Sequence, residues 1–275
     1  MDDKLTNRTV DNKLTNRTAD NKLTNRTTDN KLTNRTVDDK LTNRTTVNKL
    51  TNRTADGELT APERRRVAAA AGHAGDAAGA RTHLHDEDAS VRSSALRALE
   101  RSGDLAAREL EAALEDPAPA VRSTALELAA GRGDIAAAAV TDRLLDDDRR
   151  VVEVAAWACG EKFPAGRTTP VDHADAVGFR TAAAVSALIE VARSHEDPLC
   201  RESAIAALGA ISHPAGLPAI LGGLDDKPEV RRRAVIALAP FDGPEVDAAL
   251  LRATADRDKQ VRAAAAELRG DREAP

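Results

Sequence analysis

From residue 91 onward one short pattern returns at a nearly constant interval. Val91-Arg92, Val121-Arg122, Val151-Val152, Cys200-Arg201, Val230-Arg231 and Val261-Arg262 are spaced by 30, 30, 49, 30 and 31 residues. The long spacing equals one period plus an insert of about 19 residues, placed at 160–180. A period of this size marks a stack of small units, because a pair of helices this short cannot enclose a core alone and must share one with its neighbours.

The interior of each unit is helical. With the first residue of the pattern as position zero, apolar residues follow at +4, +5 and +8: Ala95, Leu96, Leu99; Ala125, Leu126, Ala129; Ala204, Ile205, Leu208; Ala234, Val235, Leu238. These positions form one stripe at helical period. Aspartates stand just ahead, with Asp88, Asp148, Asp197 and Asp258 at −3, Asp116 at −5 and Asp226 at −4, where they are expected to cap the helix and suit its positive end. Gly-Asp pairs at 75, 103 and 133 turn the chain, and a second stripe follows, Leu105, Leu110, Leu114 and then Ile135, Val140, Leu144. Thr60-Ala61-Pro62-Glu63 reads as a capping box that opens the first unit, with Arg64, Arg65 and Arg66 keeping that end polar. The last unit reads as a single helix, about 258–269, ending at Gly270. The expected fold is therefore an all-α solenoid of about six helix pairs plus a terminal helix, over 56–275.

Composition fits thin layers. Aromatic residues are 1% of the chain, three Phe and one Trp, against 41% apolar residues in all. Closely stacked helices need small and branched side chains rather than rings. Cys159 at +8 and Cys200 at zero fall on the buried stripe and read as small apolar residues rather than reactive thiols.

The carrying motif, D-x-x-V-R-x-x-A-L at Asp88–Leu96 and D-P-x-C-R-x-x-A-I at Asp197–Ile205, resembles the HEAT-repeat family in its short bacterial, phycobilin-lyase-like form, over about residues 60–270. The resemblance implies an armadillo-like superhelix whose second helices line the concave face. It also implies that the Arg after the Val pairs with an Asp of an adjacent turn, a structural ladder formed by Arg92, Arg122, Arg201, Arg231 and Arg262. Val152 replaces the Arg in one unit, so the ladder is expected to break there.

The segment before residue 56 is different in kind. Residues 2–55 are six copies of a nine-residue unit such as DNKLTNRTA, carrying 12 basic and 7 acidic residues. Nine residues place successive leucines on opposite sides of a helix and on alternate faces of a strand, so Leu5, Leu14 and the rest gather on no common face. One large apolar residue per unit cannot offset an ordering cost of roughly 1–2 kcal/mol per residue, and the expectation is a disordered low-complexity tail. Its six Asn-Arg-Thr sequons would matter only on a secretory route. No apolar stretch after Met1 marks such a route, so a cytoplasmic location is expected.

The functional candidates are few. Trp157 lies at +6, off the buried stripe, and the insert that follows holds Phe163 and Phe179, so this region reads either as an insert folded over Trp157 or as a partner-binding patch. On the second helices the polar residues Arg108, Glu109, Glu111, Asp142 and Arg143 are candidate partner contacts. Two enzyme readings follow from the resemblance, phycobilin lyase and deoxyhypusine hydroxylase. The latter builds its di-iron site from several His-Glu pairs, and this chain has one, His195-Glu196. His83-Leu84-His85 reads as a turn rather than a metal site. The folded part carries 28 basic and 38 acidic residues and few rings to stack on bases, which argues against nucleic acid as a ligand. No apolar run is long enough to span a membrane. The sequence thus points to a monomeric, non-catalytic scaffold for another protein, with no cofactor and no metal. If the tail is unpacked, deleting 2–55 leaves the thermal unfolding midpoint unchanged in calorimetry, and a clear drop would show that it packs on the body.

Overall fold

In the computed structural model the described residues are 59–163 and 174–273, and for 174–180 and 271–273 the description is of backbone only. The nonapeptide segment expected to be disordered and residues 164–173 of the insert lie outside them. All regular structure among the described residues is helical, in six pairs and a terminal helix. The pairs are α1 (Ala61–Ala74) with α2 (Ala77–Arg81), α3 (Ala89–Ser102) with α4 (Ala107–Leu114), and α5 (Pro119–Ala129) with α6 (Ala137–Thr141, continued by a 3-10 turn Asp142–Leu145). They continue as α7 (Arg149–Lys162) with α8 (Ala174–Ser194), α9 (Pro198–Ile211) with α10 (Leu217–Gly222, continued by a 3-10 turn Gly223–Asp225), and α11 (Pro228–Ala237) with α12 (Pro244–Ala253). The terminal helix is α13 (Lys259–Glu273). Consecutive first helices pack on one another and the second helices flank them, giving the α-solenoid the period implies.

The stripe residues form the core. Val91, Ala95, Leu96 and Leu99 are at most 2% exposed, and so are their equivalents Cys200, Ala204, Ile205 and Leu208. Leu110, Leu114, Val140 and Leu144 of the second stripe close the layer from the other side. Both cysteines are buried, and loss of hydration pushes the Cys159 thiol up to about 12 and the Cys200 thiol up to about 11. The Cys200 thiol donates to the Arg149 carbonyl at 3.1 Å.

The small residues set the spacing between layers. A Cβ added at Gly209 (+9) would lie 2.8 Å from Ala237 Cα (+7), and one at Gly72 would lie 2.6 Å from Ala98 Cα. These are backbone atoms, so relief requires moving one whole unit from the next.

Helix ends refine the sequence reading in two places. Asp88, Asp148 and Asp197 at −3 are N-caps whose carboxylates accept amides of the first turn. Asp116 and Asp226 are not caps. The caps there are Ala118 and Lys227, each followed by a Pro that has no amide to satisfy. The second difference is Gly270, which α13 passes through to Glu273. A single exposed Gly costs a helix only about 1 kcal/mol and does not end it unless the chain adopts a left-handed turn there. Gly103, with φ of 76°, does adopt that turn and ends α3.

Replacing Gly209 by Ala should raise helix propensity by about 1 kcal/mol yet lose about 1–3 kcal/mol through overpacking against α11, a net destabilisation in urea unfolding. Gly270→Ala, with no heavy atom within 4 Å of the new Cβ, should be neutral or stabilising by up to about 1 kcal/mol.

Candidate functional site

Most units hand one guanidinium to the next. Arg92, Arg122, Arg201 and Arg231 at +1 donate from Nε and Nη2 to both oxygens of Asp116, Asp146, Asp226 and Asp256, at 2.6–2.8 Å. The remaining nitrogen, Nη1, donates to carbonyls of the turn before the Arg's own helix, for Arg92 those of Asp86 and Glu87. One planar side chain therefore fixes two successive turns, which a lysine could not do. The aspartates also accept a backbone amide of their own turn, as Asp256 does from Asp258 at 2.7 Å.

The ladder begins one unit earlier than the Val-Arg pattern indicates. Arg64 donates to Asp86 from Nε at 2.7 Å and from Nη1 to the Leu59 carbonyl. Glu63 occupies position zero there because it serves the cap, accepting from the Thr60 amide at 2.9 Å. That substitution hid the register. Arg64 thus ties the first turn to the second as a rung of the ladder.

The fourth unit breaks the ladder, and both partners change together. Val152 stands for the Arg and is buried, while His195 stands for the Asp. His195 keeps the turn-holding half of the role, its Nδ1 accepting the Asp197 amide at 3.0 Å, and its carbonyl accepts from Arg201. Arg149 bridges the gap instead, paired with Asp197 while 63% of its side chain stays exposed. His195-Glu196 is accordingly part of a turn. Among the described residues no group of three His, Cys, Asp or Glu side chains is placed to hold a metal ion. No described helix is long and apolar enough to cross a membrane.

The other candidates separate by exposure. Glu109 accepts from the Ala106 amide at the start of α4 and pairs with Arg81 of the preceding second helix at 2.8 Å. Arg143 pairs with Glu115 at 3.0 Å. Both are spent on holding units together, whereas Arg108, Glu111 and Asp142 remain exposed. Phe163 is half-buried against the core. Phe179 lies on α8, beyond the residues whose side chains are described. The extra residues of this unit are not one loop: Gly160 is buried within α7, and α8 is 21 residues long.

Trp157 is 46% exposed. It borders a groove of about 270 Å³ between α7 and α9, with Glu202, Ser203, Ala206 and Ala210, and the expected cover by the insert falls on residues outside those described. The adjoining groove of about 510 Å³, between α9 and α11, continues past Ala206 and Ala210 to Ile236, itself 41% exposed. Position +6 along the first helices therefore changes character at the ladder break. In the second and third units it carries Arg97 and Glu127, ion-paired at 2.7 Å. In the fourth, fifth and sixth it carries Trp157, Ala206 and Ile236. The sequence places Trp157 at +6, but Ile236 passes there for an ordinary helix residue until the neighbouring grooves show it in line.

This stack of helix pairs, sharing one core and tied by recurrent Arg-Asp forks, defines an α-solenoid repeat protein. The family model for HEAT repeats matches residues 179–269. Over that stretch the chain is similar to HEAT repeats, and an armadillo-type structure shares its fold. A designed armadillo repeat protein in complex with the peptide (KR)4 superposes with a TM-score of 0.51 at 18% identity, over 70% of this chain and 97% of that one. Human deoxyhypusine hydroxylase in complex with glycerol gives 0.39 at 20% identity, over 82% and 83%, too loose a superposition to bear on activity. No curated protein matches the chain.

The ladder carries a pH signature. The forks from Arg201 and Arg231 hold Asp226 and Asp256 below the usual carboxylate range. Burial opposes ionisation of Asp86 and Asp146, but the forks from Arg64 and Arg122 and the turn amides outweigh it and leave both lowered. Carboxylates lowered in the folded state add stability that is complete above their unfolded range, near pH 4, and is lost as pH falls through the folded value. Urea midpoints should owe no slope to the ladder between pH 5 and 8 and should fall below about pH 4. Arg231→Ala, which strands a largely buried Asp256, should cost about 3–5 kcal/mol and flatten part of that acid slope. Arg262→Ala, at an exposed site where no carboxylate of the described residues meets the guanidinium, should cost less than about 0.5 kcal/mol.

Proposed function

We propose that this chain is a non-catalytic scaffold that binds another protein along the ridge formed by Trp157, Ala206 and Ile236. The observation that carries this reading is the half-exposed Trp157 in line with an exposed Ile236, where the equivalent earlier positions form an ion pair. Large apolar side chains rimmed by charge are common anchors of protein interfaces. A designed protein of this fold is known in complex with a peptide, which supports peptide or protein binding as work the architecture can do. The exposed Arg108, Glu111 and Asp142 on the second helices form the alternative surface.

Affinity capture with the wild-type chain, Trp157→Ser/Ile236→Ser, and Arg108→Ala/Glu111→Ala/Asp142→Ala separates the two. The ridge variant should weaken binding by roughly 30-fold, the equivalent of about 2 kcal/mol for an aromatic anchor, and the other variant should leave it intact. The reverse result moves the interface to the second helices. Stoichiometric iron in the purified protein would overturn the non-catalytic reading in favour of a hydroxylase-like enzyme.

A further inference from the structure

The two ends of the solenoid carry the two halves of an inter-unit junction. Six first helices bury position +5 completely or nearly so: Ala68, Leu96, Leu126, Ala156, Ile205 and Val235. The seventh, α13, leaves its +5 residue, Ala266, exposed. Its ladder residue Arg262 donates Nη1 to the carbonyls of Asp256 and Arg257, as the other rungs do, but no carboxylate of the described residues meets Nε and Nη2. Its +9 residue is Gly270, in the register where Gly72, Gly160 and Gly209 receive an Ala of the following unit, and nothing lies within 4 Å of it. The C-terminal end therefore presents an unfilled donor face, identical in plan to the faces buried inside the stack.

The N-terminal end presents the acceptor side. With zero at Glu63, α1 carries Ala70 at +7, the position of Ala98, Ala207 and Ala237 that meet those glycines. A charge pair follows from a contact within the stack. The +6 residue of one unit reaches the +3 residue of the next, as Arg97 Nη2 reaches Thr124 Oγ1 at 3.5 Å. Across the two ends that contact joins Glu267 (+6) to Arg66 (+3), both exposed and of opposite charge.

We propose that copies of this chain associate head to tail, α13 of one copy receiving α1 of the next as though it were another repeat. The occupant is a second copy because shape register and charge agree at two points: Gly270 with Ala70, and Glu267 with Arg66. Such a contact uses different surfaces on the two partners and propagates instead of closing as a two-fold dimer. It departs from the monomer expected from the sequence, where Arg64–Arg66 count only as a polar cap.

Sedimentation velocity of the full chain over a wide concentration range tests the proposal, with circular dichroism confirming that each variant folds. The wild type should grow beyond its 29.1 kDa mass as concentration rises. Glu267→Arg alone and Arg66→Glu alone should stay monomeric over the same range, each placing like charges across the junction. Mixed, they restore opposite charges at both kinds of contact and should associate again. A wild type that stays at monomer mass throughout, variants that associate as well as it does, or a mixture that fails to recover would overturn the proposal.

Discussion

The arginine fork is the constraint on which the rest depends. Helix pairs as short as α5 and α6 have little core of their own, so the stack stands only if each turn is fixed relative to the next. Nη1 of Arg122 reads the turn before its own helix through the Asp116 carbonyl, and Nε and Nη2 read the following turn through Asp146. Because the guanidinium is flat and rigid, the two turns are set in distance and in angle at once. The stripes of Ala, Leu and Val then fill a gap whose width is already decided, which is why Gly and Ala recur where first helices touch.

Much of this was legible in the sequence because it rests on period and residue type. The spacing of Val91, Val121 and Val151 gives the unit, and the +4, +5, +8 stripe gives its buried face. What escaped depends on residues that serve two roles. Glu63 obscured the first rung by replacing Val where a cap was needed. Asp116 and Asp226 resembled caps because caps and ladder acceptors are both aspartates a few residues ahead of a helix, and only the hydrogen bonds separate them. Glu109 and Arg143 read as candidate partner contacts, and their ion pairs with Arg81 and Glu115 were not legible, since a pattern on one helix does not show the neighbour on the next.

The ridge shows the same limit from the functional side. Trp157 stands out in a chain with so few rings, but its meaning comes from Ala206 and Ile236, which are unremarkable letters in their own units. They form a line only because stacking brings position +6 of successive first helices side by side. A solenoid turns a residue recurring every thirty positions into a continuous surface, so its binding faces are read down the repeats rather than along the chain.

The broken rung has a consequence of its own. In a linear array each junction contributes separately to the strength of the whole. Within the stack most junctions are clamped by side chains sheltered from solvent, where dissolved ions screen little. The junction after Val152 relies on Arg149, which stands largely in water, and on apolar packing. Mobile ions weaken exposed pairs and spare sheltered ones. Ionic strength therefore acts unevenly along the rod, loosening it at one interior seam, beside the very groove that Trp157 borders.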